Sequence, residues 1–144
     1  MSESKTPGER HQCPCCRYPT LSERAAYEIC VLCNWEDDGQ DDASADEVWG
    51  GPNSDYSLTA ARENFQKYRV MYSPGRDQRL TGGDSPAEFE TKGKLMSAFV
   101  SLRTGTTDEE AAALNATIAQ LEADLHAENA RLIRAYEGEQ GSDA

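Results

Sequence analysis

Apolar positions along this chain follow two different periods. Between residues 18 and 29 they come in short runs, Tyr18 to Leu21 and Ala26 to Ile29, with Tyr27 and Ile29 on one face and Glu28 on the other. Period-two alternation of this kind predicts short strands, and Ser22 to Ala25 supplies a turn between them, giving a small β-hairpin. From residue 58 the period lengthens. Leu58, Ala61, Phe65 and Tyr68 form one stripe of a helix over about 58–69, with Ser57 as its N-cap, placed to cover the hairpin. Ser85-Pro86-Ala87-Glu88 is a capping box with proline at the first helical position. It opens a helix over about 86–103 that carries Phe89, Leu95, Met96, Phe99 and Leu102, and Gly105 ends it. Thr107-Asp108-Glu109-Glu110 is a second capping box. The helix it starts runs to about Glu137, before Gly138, with Ala111, Leu114, Ile118, Leu121, Leu125, Leu132 and Ala135 on one seam that Glu128 interrupts. At 1.5 Å per residue these last helices are about 27 and 45 Å long, so antiparallel packing leaves an overhang that needs a partner or must fray.

The pattern therefore predicts an α+β chain: a zinc-ribbon-like β-hairpin with a covering helix, followed by a C-terminal antiparallel helical hairpin. The expected boundaries are a disordered tail at 1–11, a metal-binding module at 12–72, a linker at 73–84, the helical hairpin at 85–138 and a second disordered tail at 139–144. The linker rests on the turn formers Ser73-Pro74-Gly75 and Thr81-Gly82-Gly83-Asp84. No apolar run approaches the ~18 residues that cross a bilayer, and the opening stretch lacks the apolar centre of a signal peptide. The expectation is a soluble, cytoplasmic protein.

Composition adds a demand for some stabilising device. Hydrophobic residues make up 38% of 144, and mean hydropathy is −0.75, which leaves little core per residue. The five cysteines supply a candidate. All lie between residues 13 and 33, an odd number in one short segment, which fits reduced thiolates on a metal better than a disulfide framework. Cys13/Cys16 and Cys30/Cys33 are two C-x-x-C pairs, 13 residues apart. A two-residue spacer brings both sulfurs round one side of a tight turn, and two such turns complete a tetrahedral four-sulfur site, which favours Zn²⁺. Such a site is closed and therefore structural. Asn34 after the second pair suits a residue at positive φ; Arg17 after the first does not, so an irregular first turn is expected. Cys15 is left over, as a spectator or as an alternative ligand, and His11 is close in sequence but in the expected tail.

Charge narrows the partners. The net charge is −12, which opposes nucleic-acid binding because phosphate recognition needs a surplus of Lys and Arg. Residues 36–47 carry seven acids and no base, and residues 108–144 carry nine acids and two arginines. Glu36, Asp37, Asp38, Asp41, Asp42, Asp46 and Glu47 are read as a solvated acidic loop and a candidate partner-binding surface. The loop lacks the alternation and closing Glu of an EF-hand. Two functional classes follow. One is an acidic zinc-binding interaction module that docks a basic protein, in its most concrete form an immunity protein or antitoxin neutralising a basic toxin. The other is a metal- or cysteine-dependent hydrolase using Cys15 or the carboxylates of Asp37 and Asp38. The chain offers little support for a catalytic apparatus, so a non-enzyme is expected. A structural zinc-ribbon adaptor with some other partner is a third form.

The segment Cys13-Pro14-Cys15-Cys16, then Tyr27-Glu28-Ile29-Cys30, Cys33, Trp35-Glu36-Asp37-Asp38-Gly39-Gln40, Gly50-Gly51 and Ser57-Leu58 running into Ala61-Arg62-Glu63-Asn64-Phe65, resembles the CPCC family of small cysteine-rich bacterial proteins. The resemblance covers about residues 13–69 and implies a zinc-binding module. The chain departs from the family at Arg17, where such proteins usually have glycine, and its helical part after about residue 75 lies outside the resemblance.

Overall fold

The computed structural model describes residues 6, 9–77, 79 and 81–141. Its backbone forms two compact units, Met1–Pro74 and Gly75–Ala144. The boundary falls inside the stretch expected to be a linker. Residues 1–5 of the expected N-terminal tail, with 7 and 8, and residues 142–144 of the C-terminal one, lie outside the described residues.

Turns organise the first unit more than strands do. β1 (His11–Gln12) pairs antiparallel with β2 (Pro19–Leu21), His11 opposite Leu21 and Gln12 opposite Pro19, with an irregularity between the two pairs. This is a two-stranded hairpin in an α+β chain, but its strands differ from the expected ones. The polar residues just before Cys13 take part in it, and Arg10 donates to the Pro19 carbonyl at 3.4 Å. The expected second strand at 26–29 is reduced to one antiparallel bridge, Ile29 with Glu36. The physical reason is backbone conformation: Ala25 (φ 56°) and Tyr27 (φ 60°) are left-handed, which breaks strand geometry, and both Tyr27 and Ile29 face solvent.

α1 (Leu58–Tyr68) starts at Ser57, whose hydroxyl accepts from the Ala60 N–H. Leu58, Ala61 and Phe65 are its buried face, whereas Tyr68 of the expected stripe is exposed. The helix packs on the turn that joins β1 and β2. Phe65 meets Tyr18 edge-on with ring centroids 6.2 Å apart, and the Arg62 Nε donates to the Pro14 carbonyl at 2.9 Å. Arg69, left-handed at φ 60°, stops the helix and sends the chain back. Met71 N–H then donates to the Cys33 carbonyl at 2.8 Å. Tyr72 accepts from Asn34 Nδ2 and packs edge-on against Tyr56.

The second unit is a helical hairpin of α2 (Pro86–Arg103) and α3 (Asp108–Gly141). Its caps are those the sequence predicts: Ser85 and Glu88 form a full capping box, and Glu110 N–H donates to the Thr107 hydroxyl. Leu95, Ala98 and Phe99 of α2 are buried, as are Ile118 and Leu125 of α3, while Phe89 is 44% exposed and Ala135 is also exposed. Ser85 Oγ donates to Glu128, so the residue that interrupts the seam marks where α2 begins alongside α3. α3 continues through Gly138 to Gly141, about 20 Å past that point. The later part of the expected linker is bound down. Arg79 donates to Asp77 and to Asp84, both at 2.6 Å, and Lys92 donates to Asp84 at 2.6 Å; all four side chains are nearly buried. Among the described residues no helix is long and apolar enough to cross a membrane.

Candidate metal centre

Each C-x-x-C is held in the same backbone turn. Cys13 N–H donates to the Tyr18 carbonyl at 2.9 Å, and Cys30 N–H donates to the Trp35 carbonyl at 2.9 Å. Inside these, Arg17 N–H donates to the Cys13 carbonyl at 2.8 Å and Asn34 N–H to the Cys30 carbonyl at 3.0 Å. The residue closing each turn is left-handed, Arg17 at φ 70° and Asn34 at φ 71°. The first turn is therefore regular, against the expectation drawn from Arg17. Its long side chain accepts the strained backbone and puts its guanidinium 2.9 Å from Asp42.

Facing one another, the two turns bring Cys13, Cys16, Cys30 and Cys33 together, all buried, with their four sulfurs within 4.8 Å of one another. Cys13 Sγ lies 3.6 Å from Cys33 Sγ, and Cys16 Sγ lies 3.6 Å from Cys30 Sγ. Zinc–sulfur bonds of about 2.3 Å imply tetrahedral edges of about 3.8 Å, so the donor set has the size and chemistry of a four-thiolate metal site. The surrounding donors fit thiolates as well. Leu32 N–H points at Cys30 Sγ and Trp35 N–H at Cys33 Sγ, both at 3.4 Å, and the Thr20 hydroxyl lies 3.0 Å from Cys30 Sγ. Such contacts fix ligand orientation and spread the negative charge.

The thiols by themselves are electrostatically frustrated. Burial pushes Cys16 and Cys33 well above the ordinary thiol range. Burial acts the same way on Cys30, yet hydrogen bonds converging from Cys13, Cys16, Cys33 and Thr20 hold it well below that range. Thiols packed this closely oppose one another's ionisation, and a bound cation would relieve that opposition. Cys15 is 2% exposed and stands outside the four-sulfur set. Its hydrogen bond with Cys33 lowers its pKa, but burial and the nearby sulfurs of Cys13 and Cys30 outweigh this and leave it raised.

Of the seven acids of 36–47, Asp41, Asp42, Asp46 and Glu47 are exposed, Glu36 and Asp38 are half-buried and Asp37 is not solvated. Asp37 is fully buried: its Oδ2 accepts from Arg24 Nε at 2.8 Å and from Ala25 N–H at 2.7 Å, and its Oδ1 accepts from Gly39 N–H at 3.2 Å. Asp37 is therefore no part of a docking surface. Asp38 is half-buried and caps Gln40 N–H. Asp41 caps a short 3₁₀ turn, Asp42–Ser44, and pairs with Arg24; Asp42 pairs with Arg17 and Arg62. The arginine pairings hold Asp41 and Asp42 below the usual carboxylate range. Glu36 is half-buried, and its backbone is clamped by Asn53, whose side chain accepts from the Glu36 N–H and donates to its carbonyl. Asp46 and Glu47 are also exposed; Asp46 accepts from the Thr59 hydroxyl and Glu47 from the Trp49 indole. Sequence reading missed Thr20, Arg24, Asn53 and Arg62. None has a local signal, because each acts on a segment 10 to 48 residues away.

Residues 11–81 match the family model described as cysteine-rich CPCC. No curated protein and no solved structure matches the chain.

Proposed function

Since residues 11–81 of this chain belong to the cysteine-rich CPCC family, we propose that their four cysteines hold one zinc ion as a structural crosslink in a protein-interaction module without catalytic activity. The observation that carries this reading is the set of four buried sulfurs within 4.8 Å of one another. Four thiolates on one tetrahedral ion leave no position for water or substrate, so the ion's contribution is folding energy. The hydrolase reading has less support: Cys15 is buried, Asp37 accepts from Arg24 and two backbone N–H groups, and Asp38 is left half-buried, accepting from the Gln40 N–H. The net charge of −12 supports a basic protein as the partner, most concretely a toxin that the chain neutralises.

Zinc analysis of the reduced, purified chain tests the metal part. The expected result is about one zinc per chain, retained in Cys15→Ala and lost in Cys30→Ser together with the cooperative unfolding of the first unit. A chain without metal whose thermal transition is unmoved by Cys30→Ser refutes it.

A further inference from the structure

Several large apolar side chains of the first unit are exposed. Tyr27 is 60% exposed, Ile29 54%, Val48 55% and Trp49 48%. Tyr27 and Ile29 lie on one ribbon of backbone. Tyr27 N–H donates to the Asp37 carbonyl, Asp37 N–H donates to the Glu28 carbonyl, and Ile29 bridges Glu36. At the turn of the ribbon a side chain on Gly39 would meet Ala25 at 3.6 Å and the Trp49 ring at 3.9 Å, so the indole lies against the glycine that turns the chain. Trp49 is also oriented, because its Nε1–H donates to the Glu47 carboxylate at 3.1 Å. An exposed indole fixed in this way is preorganised surface available for contact.

Charge says what the contact is. From Ala25 to Ala61 the chain has nine acids and no lysine or arginine. Across this stretch Arg17, Arg24 and Arg62 are bonded to Asp37, Asp41 and Asp42, while Glu28, Glu36, Asp38, Asp46 and Glu47 add further negative charge, Glu47 directly at the Trp49 indole. An aromatic face beside carboxylates recognises a cationic side chain: the ring quadrupole attracts a guanidinium above it while the carboxylates neutralise it. We propose that the exposed, oriented indole of Trp49, with Tyr27 on the neighbouring backbone ribbon, docks an arginine-bearing segment of a basic protein, with an arginine stacked on Trp49. This deepens the basic-partner reading and rests on it.

The test uses the zinc-loaded full chain and an octa-arginine peptide, with octa-glutamate as control, in low salt. Trp35 is fully buried, so a fluorescence change reports Trp49, and calorimetry measures the variants. Saturable binding of octa-arginine alone is expected. Trp49→Ala should weaken it roughly tenfold and Tyr27→Ser several-fold, with zinc content unchanged. Neither substitution alters net charge, so losses of that size are not generic attraction between polyions. Wild-type affinity in both variants overturns the assignment of the face while leaving a basic partner in place. Absence of binding to the wild-type chain overturns the basic-partner reading together with the face.

Discussion

Asp37→Asn separates a buried structural acid from a surface one with a single atom changed. Three donors converge on the carboxylate, Arg24 Nε and Ala25 N–H on one oxygen and Gly39 N–H on the other. An asparagine can present its carbonyl oxygen to the first pair, but its amide nitrogen then faces Gly39 N–H, donor against donor. Leaving a buried N–H without an acceptor costs about 1–3 kcal/mol, and replacing a charge-assisted bond to Arg24 by a neutral one costs about 1 kcal/mol more. The expected loss is about 3 kcal/mol. For a unit of this size, 1 kcal/mol moves the midpoint by about 4–8 °C, so the transition should fall by roughly 15 °C. Asp46→Asn is the control. Asp46 is exposed and Asn keeps an acceptor for the Thr59 hydroxyl, so its effect should stay within about 0.5 kcal/mol. Thermal and urea unfolding of the zinc-loaded variants gives both numbers. An Asp37→Asn protein that melts within 2 °C or so of the parent, yet binds a basic partner less well, would refute the argument and return Asp37 to the surface.

Two further outcomes follow from the backbone and from the second unit. Arg17 closes its turn at φ 70°, where a side chain costs about 1 kcal/mol relative to glycine. Arg17→Gly should therefore be more stable than Arg17→Ala by about that amount, measured by urea unfolding; both variants lose the pairing to Asp42, which Arg62 retains, and equal stability would show that the left-handed turn is unstrained. Asp77 responds to acid. Burial alone would raise its pKa, but hydrogen bonds from Arg79 and the charge of Lys92 hold it below the ordinary 3.8. A folded-state value below the unfolded one means that its contribution is complete above about pH 4 to 5 and is lost as pH falls through the folded value. The α2–α3 helical signal should weaken below about pH 4, and Asp77→Asn should flatten that slope.

The helices were legible because their signals are local. Ser57, the Ser85–Glu88 box and Thr107 each announce a first turn within four residues, and α1 and α2 begin where those residues place them. The cysteine pairs were legible for a similar reason, since C-x-x-C implies its own turn. The strands were not. Tyr27-Glu28-Ile29 alternates like a half-buried strand, but in a unit organised round four sulfurs the apolar alternation carries less information than it does over a large core. The partner of β2 is the polar pair His11–Gln12, of which His11 reads as tail and neither carries a strand signal. The acidic run was misread in part, for want of long-range knowledge. Nothing near Asp37 reveals that Arg24, 13 residues back, donates to it, or that Arg62, 20 residues past Asp42, returns on a helix.

Both units have about 70 residues, a size at which an apolar core alone rarely supplies more than a few kcal/mol, and each carries a different supplement. In the first it is the sulfur cluster, backed by Asp37 and Asn53 tying loops across the chain. In the second it is the buried group of Asp77, Arg79, Asp84 and Lys92 that fastens the approach to α2. A buried charge stranded by loss of its partner costs several kcal/mol, so this group is valuable as a set and a liability once broken. The two supplements answer to different conditions. Chelation or thiol oxidation acts on the first unit and leaves the carboxylates of the second untouched, whereas acid protonates Asp77 as well as the metal ligands. Chelator at neutral pH should therefore remove the ordered structure of residues 11–72 while α2 and α3 stay helical. A single transition that melts both halves on zinc removal would show instead that the helical hairpin draws its stability from the metal.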